Sequence, residues 1–118
     1  MQVDTNKILL VKPSTAEKRL SFISVQPPIN LAYLAAVLRR HDFDVSILDF
    51  TATEYNENRF KESLVANPPA LLGITCFTPT ILNGYELARV AKEVSPDTVT
   101  VIGGPHSTAL PEQTLKEC

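Results

Sequence analysis

Two kinds of hydrophobic run alternate along the chain. Ile8-Leu9-Leu10-Val11 is an unbroken apolar stretch between Lys7 and Lys12-Pro13, the pattern of a strand buried on both faces. Pro28 suits the first turn of a helix. Leu31, Leu34, Ala35 and Leu38 then recur at helical spacing, before Arg39 and Arg40 place positive charge at the carboxyl end. Asp42, just past that end, stands where a left-handed cap would favour Gly, a conformation that Asp tolerates better than most residues. Val45, Ile47 and Leu48 predict a second strand ending at Asp49. Residues 54–66 are polar, with Phe60 and Leu64 one turn apart, and predict a short surface helix closed by Pro68-Pro69. Leu71-Leu72-Gly73-Ile74 is a third apolar strand. Thr78-Pro79 fits the cap and first position of a helix whose stripe is Tyr85, Leu87, Ala88, Ala91 and Val94, stopped by Pro96. Thr98 to Ile102 is β-branched throughout and makes a fourth strand. Gly103-Gly104-Pro105 ends it as a turn, and Pro111-Glu112 opens a last helix.

Strands without polar alternation, separated by helices, predict an α/β fold. It is a Rossmann-like, doubly wound parallel sheet in flavodoxin-like order with right-handed crossovers. The 118 residues suit one domain. Ligands of such sheets sit beyond the carboxyl ends of the strands, where the strand order reverses. The positions of interest are therefore 12–14, 49–51, 75–78 and 103–108. The stretch from Pro13 to Pro27 has no period, and a loop of that length in a compact domain is usually functional.

Composition narrows the partners. The 11 Lys and Arg oppose 13 Asp and Glu, for a formal charge of −2, and no basic stripe stands out, so neither nucleic acid nor an anionic membrane is favoured. No apolar run approaches the length of a membrane span, and the first ten residues lack the regions of a secretory signal, which makes a cytoplasmic location the expectation. The two cysteines, Cys76 and Cys118, are spaced neither as metal ligands nor as a disulfide framework. No metal centre and no catalytic residue is expected from this chain.

Gly103-Gly104-Pro105-His106-Ser107-Thr108 carries most of the candidate chemistry. Two glycines after a buried strand let a flat ligand approach the backbone, although a plain strand-to-helix turn would look the same. A dinucleotide fold needs its glycines after the first strand, where Lys12-Pro13-Ser14-Thr15 has none. A receiver-like phosphorylation domain needs carboxylates after the first and third strands, where Lys12-Pro13 and Thr75-Cys76 stand. A flavin mononucleotide loop is only half supplied by Ser14 and Thr15. His41 beside two arginines reads as a solvated helix end, Cys76 as a small buried hydrophobe or a ligand-facing thiol, and Asp49 as a cap or a ligand contact.

Four stretches together resemble the N-terminal cobalamin-binding domain of radical S-adenosylmethionine enzymes, typified by the anaerobic magnesium-protoporphyrin monomethyl ester cyclase and related methyltransferases. They are Pro27-Pro28 with Asn30-Leu31-Ala32-Tyr33-Leu34-Ala35, then Asp49, then Gly73-Ile74-Thr75 with Thr78, and finally Gly103-Gly104-Pro105-His106 with Thr108, Pro111 and Glu112. The resemblance runs over nearly the whole chain. It implies cobalamin as cofactor, held by Pro13, Ser14, Thr75, Cys76, Phe77, Thr78, Gly103, Gly104, Pro105 and His106. Cobalamin domains of the methionine synthase kind carry an Asp-x-His-x-x-Gly motif and a Ser-x-Leu. Here the first does not occur, and Thr75-Cys76-Phe77 stands where the second would be, while Gly103-Gly104 keeps the expected place. The departure implies a cofactor with its own base displaced and no protein imidazole on cobalt. A bulky side chain at Gly104 is then expected to fill the slot for the tail.

The resemblance further implies a downstream radical domain, absent from this chain, that binds a 4Fe–4S cluster and S-adenosylmethionine and acts on a small-molecule substrate. Alone the chain is expected to bind without catalysing. The family's sheet has a fifth strand, so the domain reads as truncated across 1–118, with the fourth strand's outer edge open to pairing with a second copy. Two other classes remain beside this one: an α/β interaction module, and a nucleotide- or sugar-phosphate-binding domain. A phosphate site needs one glycine-rich helix N-terminus, whereas cobalamin needs the first, third and fourth strand ends to converge on one wide slot.

Overall fold

The computed structural model describes residues 2–15 and 26–118. Most of the unpatterned stretch between Pro13 and Pro27, where a binding loop is expected, lies outside the described residues. Four strands form one parallel sheet: β1 (Asp4–Lys12), β2 (Asp44–Asp49), β3 (Pro69–Thr75) and β4 (Val99–Gly103). Their order is β2-β1-β3-β4, so the chain reverses direction across the sheet between β1 and β3. That is the switch point at which ligands of open α/β sheets collect.

The helices are α1 (Ile29–Arg40), α2 (Glu57–Ala66), α3 (Ile81–Val94), α4 (Pro105–Ala109) and α5 (Pro111–Glu117). Alternate residues of β1 supply both faces of the sheet. Leu9 and Val11 join Leu72, Ile74, Phe60, Leu64 and the buried stripe of α3 on one face, while Ile8 and Leu10 join Val45, Leu31 and Ala35 of α1 on the other. Leu72 and Val11 are wholly excluded from solvent. Each such side chain contributes about 1.5–3 kcal/mol by leaving water.

Local chemistry explains the ends of the elements. α1 stops in a Schellman arrangement, in which the Phe43 N–H donates to Leu38 O and the Asp42 N–H to Arg39 O, with Asp42 left-handed at φ 65°. α2 is capped by Asn56, whose side chain accepts from the Arg59 N–H at 3.0 Å. Thr78-Pro79 does not open the α-helix directly. Thr78–Thr80 is a 3-10 turn, and α3 begins at Ile81, because the Thr80 hydroxyl accepts from the Phe77 N–H at 3.0 Å and closes a tighter ring first. β4 starts one residue later than its β-branched run. Thr98 is instead buried beneath it, donating to Pro69 O at 2.7 Å. The residues after the glycine pair form the helix α4 rather than a simple turn.

α1 covers only part of its face. Val99 and Val101 of β4 are exposed there, at 57% and 46%, and an apolar groove runs between Val101 and α1.

Candidate functional site

The strand ends meet at the top of the sheet through the backbone. Thr75 pairs with Gly103 across β3 and β4, the Cys76 N–H donates to Gly103 O at 2.9 Å, and the His106 N–H donates to Cys76 O at 3.3 Å. Gly104 lies between these ties at φ 100°, ψ −177°, a region essentially reserved for glycine. A Cβ there would stand 2.7 Å from Cys76 O and 3.1 Å from Thr75 Oγ1. Gly104 is thus required by the chain's own backbone.

Gly103 is a different case. Its φ is not left-handed, and an added Cβ would meet nothing within 4 Å. No contact within the described residues explains a glycine at this position. The space before it is the groove between α1 and the sheet, about 400 Å³ in volume, walled by Ile8, Leu10, Leu31, Leu34, Leu71 and Val101, with Gly73 in its floor and Thr75, Gly103 and Gly104 at its upper end. Asn30, from the first turn of α1, donates through Nδ2 to Thr75 Oγ1 at 2.9 Å across the mouth. A long apolar slot with a hydroxyl at its mouth and bare backbone along one wall suits a flat heteroaromatic group on a polar tether.

The other predicted residues lie outside the lining of this groove: Pro13 and Phe77 share with Thr75 a smaller pocket at the strand ends, and Ser14 lines another beside α3. Pro13 is buried, and Ser14 is held by α3, where Asn83 Nδ2 donates to Ser14 O at 2.8 Å. Phe77 is half exposed and Thr78 exposed beside it. Thr78 Oγ1 lies 3.0 Å from His106 Nδ1, and the imidazole is only 7% exposed. Its Nε2 is enclosed without a hydrogen-bond partner among the described residues. Pro105 occupies the first position of α4.

The Cys76 side chain is turned away from the groove. It is fully buried against Gly84 and Ile81 on the α3 face, and desolvation pushes its thiol pKa up to about 12, so only its backbone serves the site. Asp49 acts as a cap, its Oδ1 accepting from the Thr51 N–H at 2.9 Å and from the Thr51 hydroxyl at 2.6 Å. His41 is exposed at the carboxyl end of α1, remote from the strand ends. Asn30 and Gly73, which belong to the stretches that carry the resemblance but are not among the expected cofactor contacts, also line the groove. The available signal for Gly73 is an isolated glycine inside a strand.

A larger cavity, about 850 Å³, lies on the opposite face among Leu82, Tyr85, Ile102 and Leu115, where α5 stands off α3. It touches only the last of the strand ends, so the groove beside α1 is the better candidate. Among the described residues no group of three or more His, Cys, Asp and Glu could hold a metal ion, and no helix is long and apolar enough to cross a membrane.

A family profile described as the B12 binding domain matches residues 20–118. The chain is 35% identical over 113 residues to an uncharacterised methyltransferase of Pyrococcus horikoshii, covering 95% of this chain and 24% of that protein. It is 33% identical to the anaerobic magnesium-protoporphyrin IX monomethyl ester cyclase of Rubrivivax gelatinosus, over 94% of this chain and 20% of that one. It is 29% identical to the cytidylyl-2-hydroxyethylphosphonate methyltransferase of Streptomyces wedmorensis, over 94% and 24%. The chain thus spans a quarter or less of the length of these relatives. No solved structure matches it.

Proposed function

The chain belongs to the B12-binding domain family, and from that premise we propose that it is the cobalamin-holding module of a cytoplasmic radical S-adenosylmethionine enzyme, keeping the cofactor's own base displaced from cobalt and lodged in the groove beside α1. The observation that carries this reading is the bare backbone at Gly103: a glycine that no contact among the described residues requires, facing an apolar slot. Cobalamin, when bound, supplies a cobalt centre that carries a methyl group or exchanges electrons.

The chain's part is to bind and orient. Thr75 and Asn30 would hold the mouth of the groove, Gly103 and Gly104 would leave room for the cofactor's tail, and Pro13, Ser14, Phe77, Thr78, Pro105 and His106, which lie outside the groove's lining, would contact the rest of the cofactor. Cobalamin held here would be held without a protein imidazole on cobalt, since His106 is enclosed and engaged by Thr78 while His41 lies at the other end of α1. In the longer polypeptide a separate domain holds the 4Fe–4S cluster and S-adenosylmethionine and binds a small-molecule substrate, for methyl transfer or cyclisation as the relatives' names suggest. The outer edge of β4 offers a pairing surface to a second copy of the chain.

Electron paramagnetic resonance of the cobalt(II) form bound to the chain tests the arrangement. Cobalt hyperfine lines free of nitrogen splitting are expected. A nitrogen triplet on each line means that a base or an imidazole is coordinated, and overturns the base-displaced reading. Failure of the chain to take up the cofactor overturns the module itself.

A further inference from the structure

The groove is chemically one-sided. Its side chains are apolar along its length, Leu10, Leu31, Leu34 and Val101 among them, and among the described residues the polar ones that reach it are Asn30 and Thr75. These two are engaged with each other, Asn30 Nδ2 donating to Thr75 Oγ1. A hydroxyl that accepts a hydrogen bond keeps its own proton to give. The mouth therefore offers the Thr75 O–H and the remaining N–H and carbonyl of the exposed Asn30, and among the described residues no polar side chain lies deeper in.

We propose that this groove selects among cobamides by their lower base. A benzimidazole fits, because its rim is hydrocarbon and its single acceptor nitrogen can take the Thr75 hydroxyl. A purine fits less well, because whichever of its amino group and additional ring nitrogens lie beyond the reach of Asn30 and Thr75 at the mouth would lose water against leucine and valine with nothing to replace it. The inference rests on the base-displaced reading above. Basicity works against the proposed preference: the benzimidazole is the stronger base and the harder of the two to displace from cobalt, so any preference for it comes from the groove.

The test is an absorbance titration of the chain with three probes: cobalamin, its adenine-bearing counterpart, and cobinamide, which has no base. The same titrations are run on Thr75→Val. Cobalamin is expected to bind about 10- to 100-fold tighter than the adenine form, the effect of leaving one or two buried polar groups unpaired. Thr75→Val is expected to weaken cobalamin about 5- to 10-fold, the effect of one lost hydrogen bond. It leaves cobinamide binding unchanged, which also shows that the variant is folded. Equal affinity for cobalamin and the adenine form, with cobinamide weaker, overturns the selectivity and leaves the tail in the groove. Equal affinity for all three removes the tail from the groove and overturns both statements. Uptake of none of them overturns the cobalamin reading and the selectivity with it.

Discussion

Gly103 and Gly104 are adjacent glycines kept for different reasons, and paired substitutions separate those reasons. At Gly104, Ala is forced into the ε region at φ 100°, ψ −177°, at a cost of about 1–3 kcal/mol. Its Cβ would also stand 2.7 Å from Cys76 O and 3.0 Å from Cys76 N, backbone atoms that cannot swing aside, for a further ~1–3 kcal/mol of overpacking. Gly104→Ala is therefore expected to lose about 2–6 kcal/mol, against a total of about 5–15 kcal/mol for a domain of ordinary stability. The bulky residue at Gly104 that the sequence suggests for filling the slot would break this turn first. A Cβ at Gly103 meets nothing within 4 Å, and Gly103→Val sits in a strand, where replacing Gly removes an entropic penalty of about 0.5–1 kcal/mol. Its stability is expected to match or slightly exceed that of the parent chain. Its methyl groups would occupy the groove, and cobalamin affinity is expected to fall about 10- to 100-fold, the effect of overfilling a packed site. Urea denaturation followed by circular dichroism reads the first quantity, and absorbance titration with hydroxocobalamin reads the second. Gly103→Val losing as much stability as Gly104→Ala, or binding cobalamin as the parent does, refutes the reasoning.

The remaining predictions concern the opposite face and the sheet edge. A Cβ at Gly84 would collide with Cys76 Sγ, so Gly84→Ala is expected to be net destabilising by up to ~2 kcal/mol, overpacking outweighing the helix-propensity gain of about 1 kcal/mol. In a Cys76→Ala background the same change turns stabilising, which a double-mutant cycle of urea midpoints measures. The raised Cys76 pKa carries a sign: above pH 9.0 the unfolded thiol ionises while the folded one, at about 12, does not. Its contribution to stability is accordingly whole below that pH and falls above it, at up to ~1.4 kcal/mol per pH unit, a slope that Cys76→Ala should reduce, leaving the parts due to Cys118, Tyr55 and Tyr85, whose pKa values burial also raises. With Val99 and Val101 exposed on the edge strand β4, the isolated chain is expected to self-associate, and a monomer at all concentrations by light scattering contradicts this.

Much of the fold was legible because the sheet is buried on both sides. Apolar runs such as Ile8–Val11 leave little choice but a central strand, and the Leu31–Leu38 stripe can only be a helix lying on it. Asp42 carried its left-handed cap in plain view. What escaped was tertiary in origin. β1 extends back through polar Asp4 because its N–H is taken by Pro68 O, a partner far along the chain. α4 was hidden behind Gly104-Pro105, which reads as a turn until the Cys76 carbonyl is seen holding His106 in place. In the site, the Gly pair stood out but its two roles did not, since φ and the room for a Cβ are properties of the surroundings. Asn30 stood in a stretch that carries the resemblance, but its bond to Thr75 could not be read there, because it depends on α1 crossing over the end of β3.

The most direct measurement is equilibrium uptake of hydroxocobalamin by the chain, followed by visible absorption. The account predicts saturable, one-to-one binding with the spectrum of a base-displaced cofactor. A spectrum unchanged at every protein concentration, with all cofactor recovered free on dialysis, would contradict it.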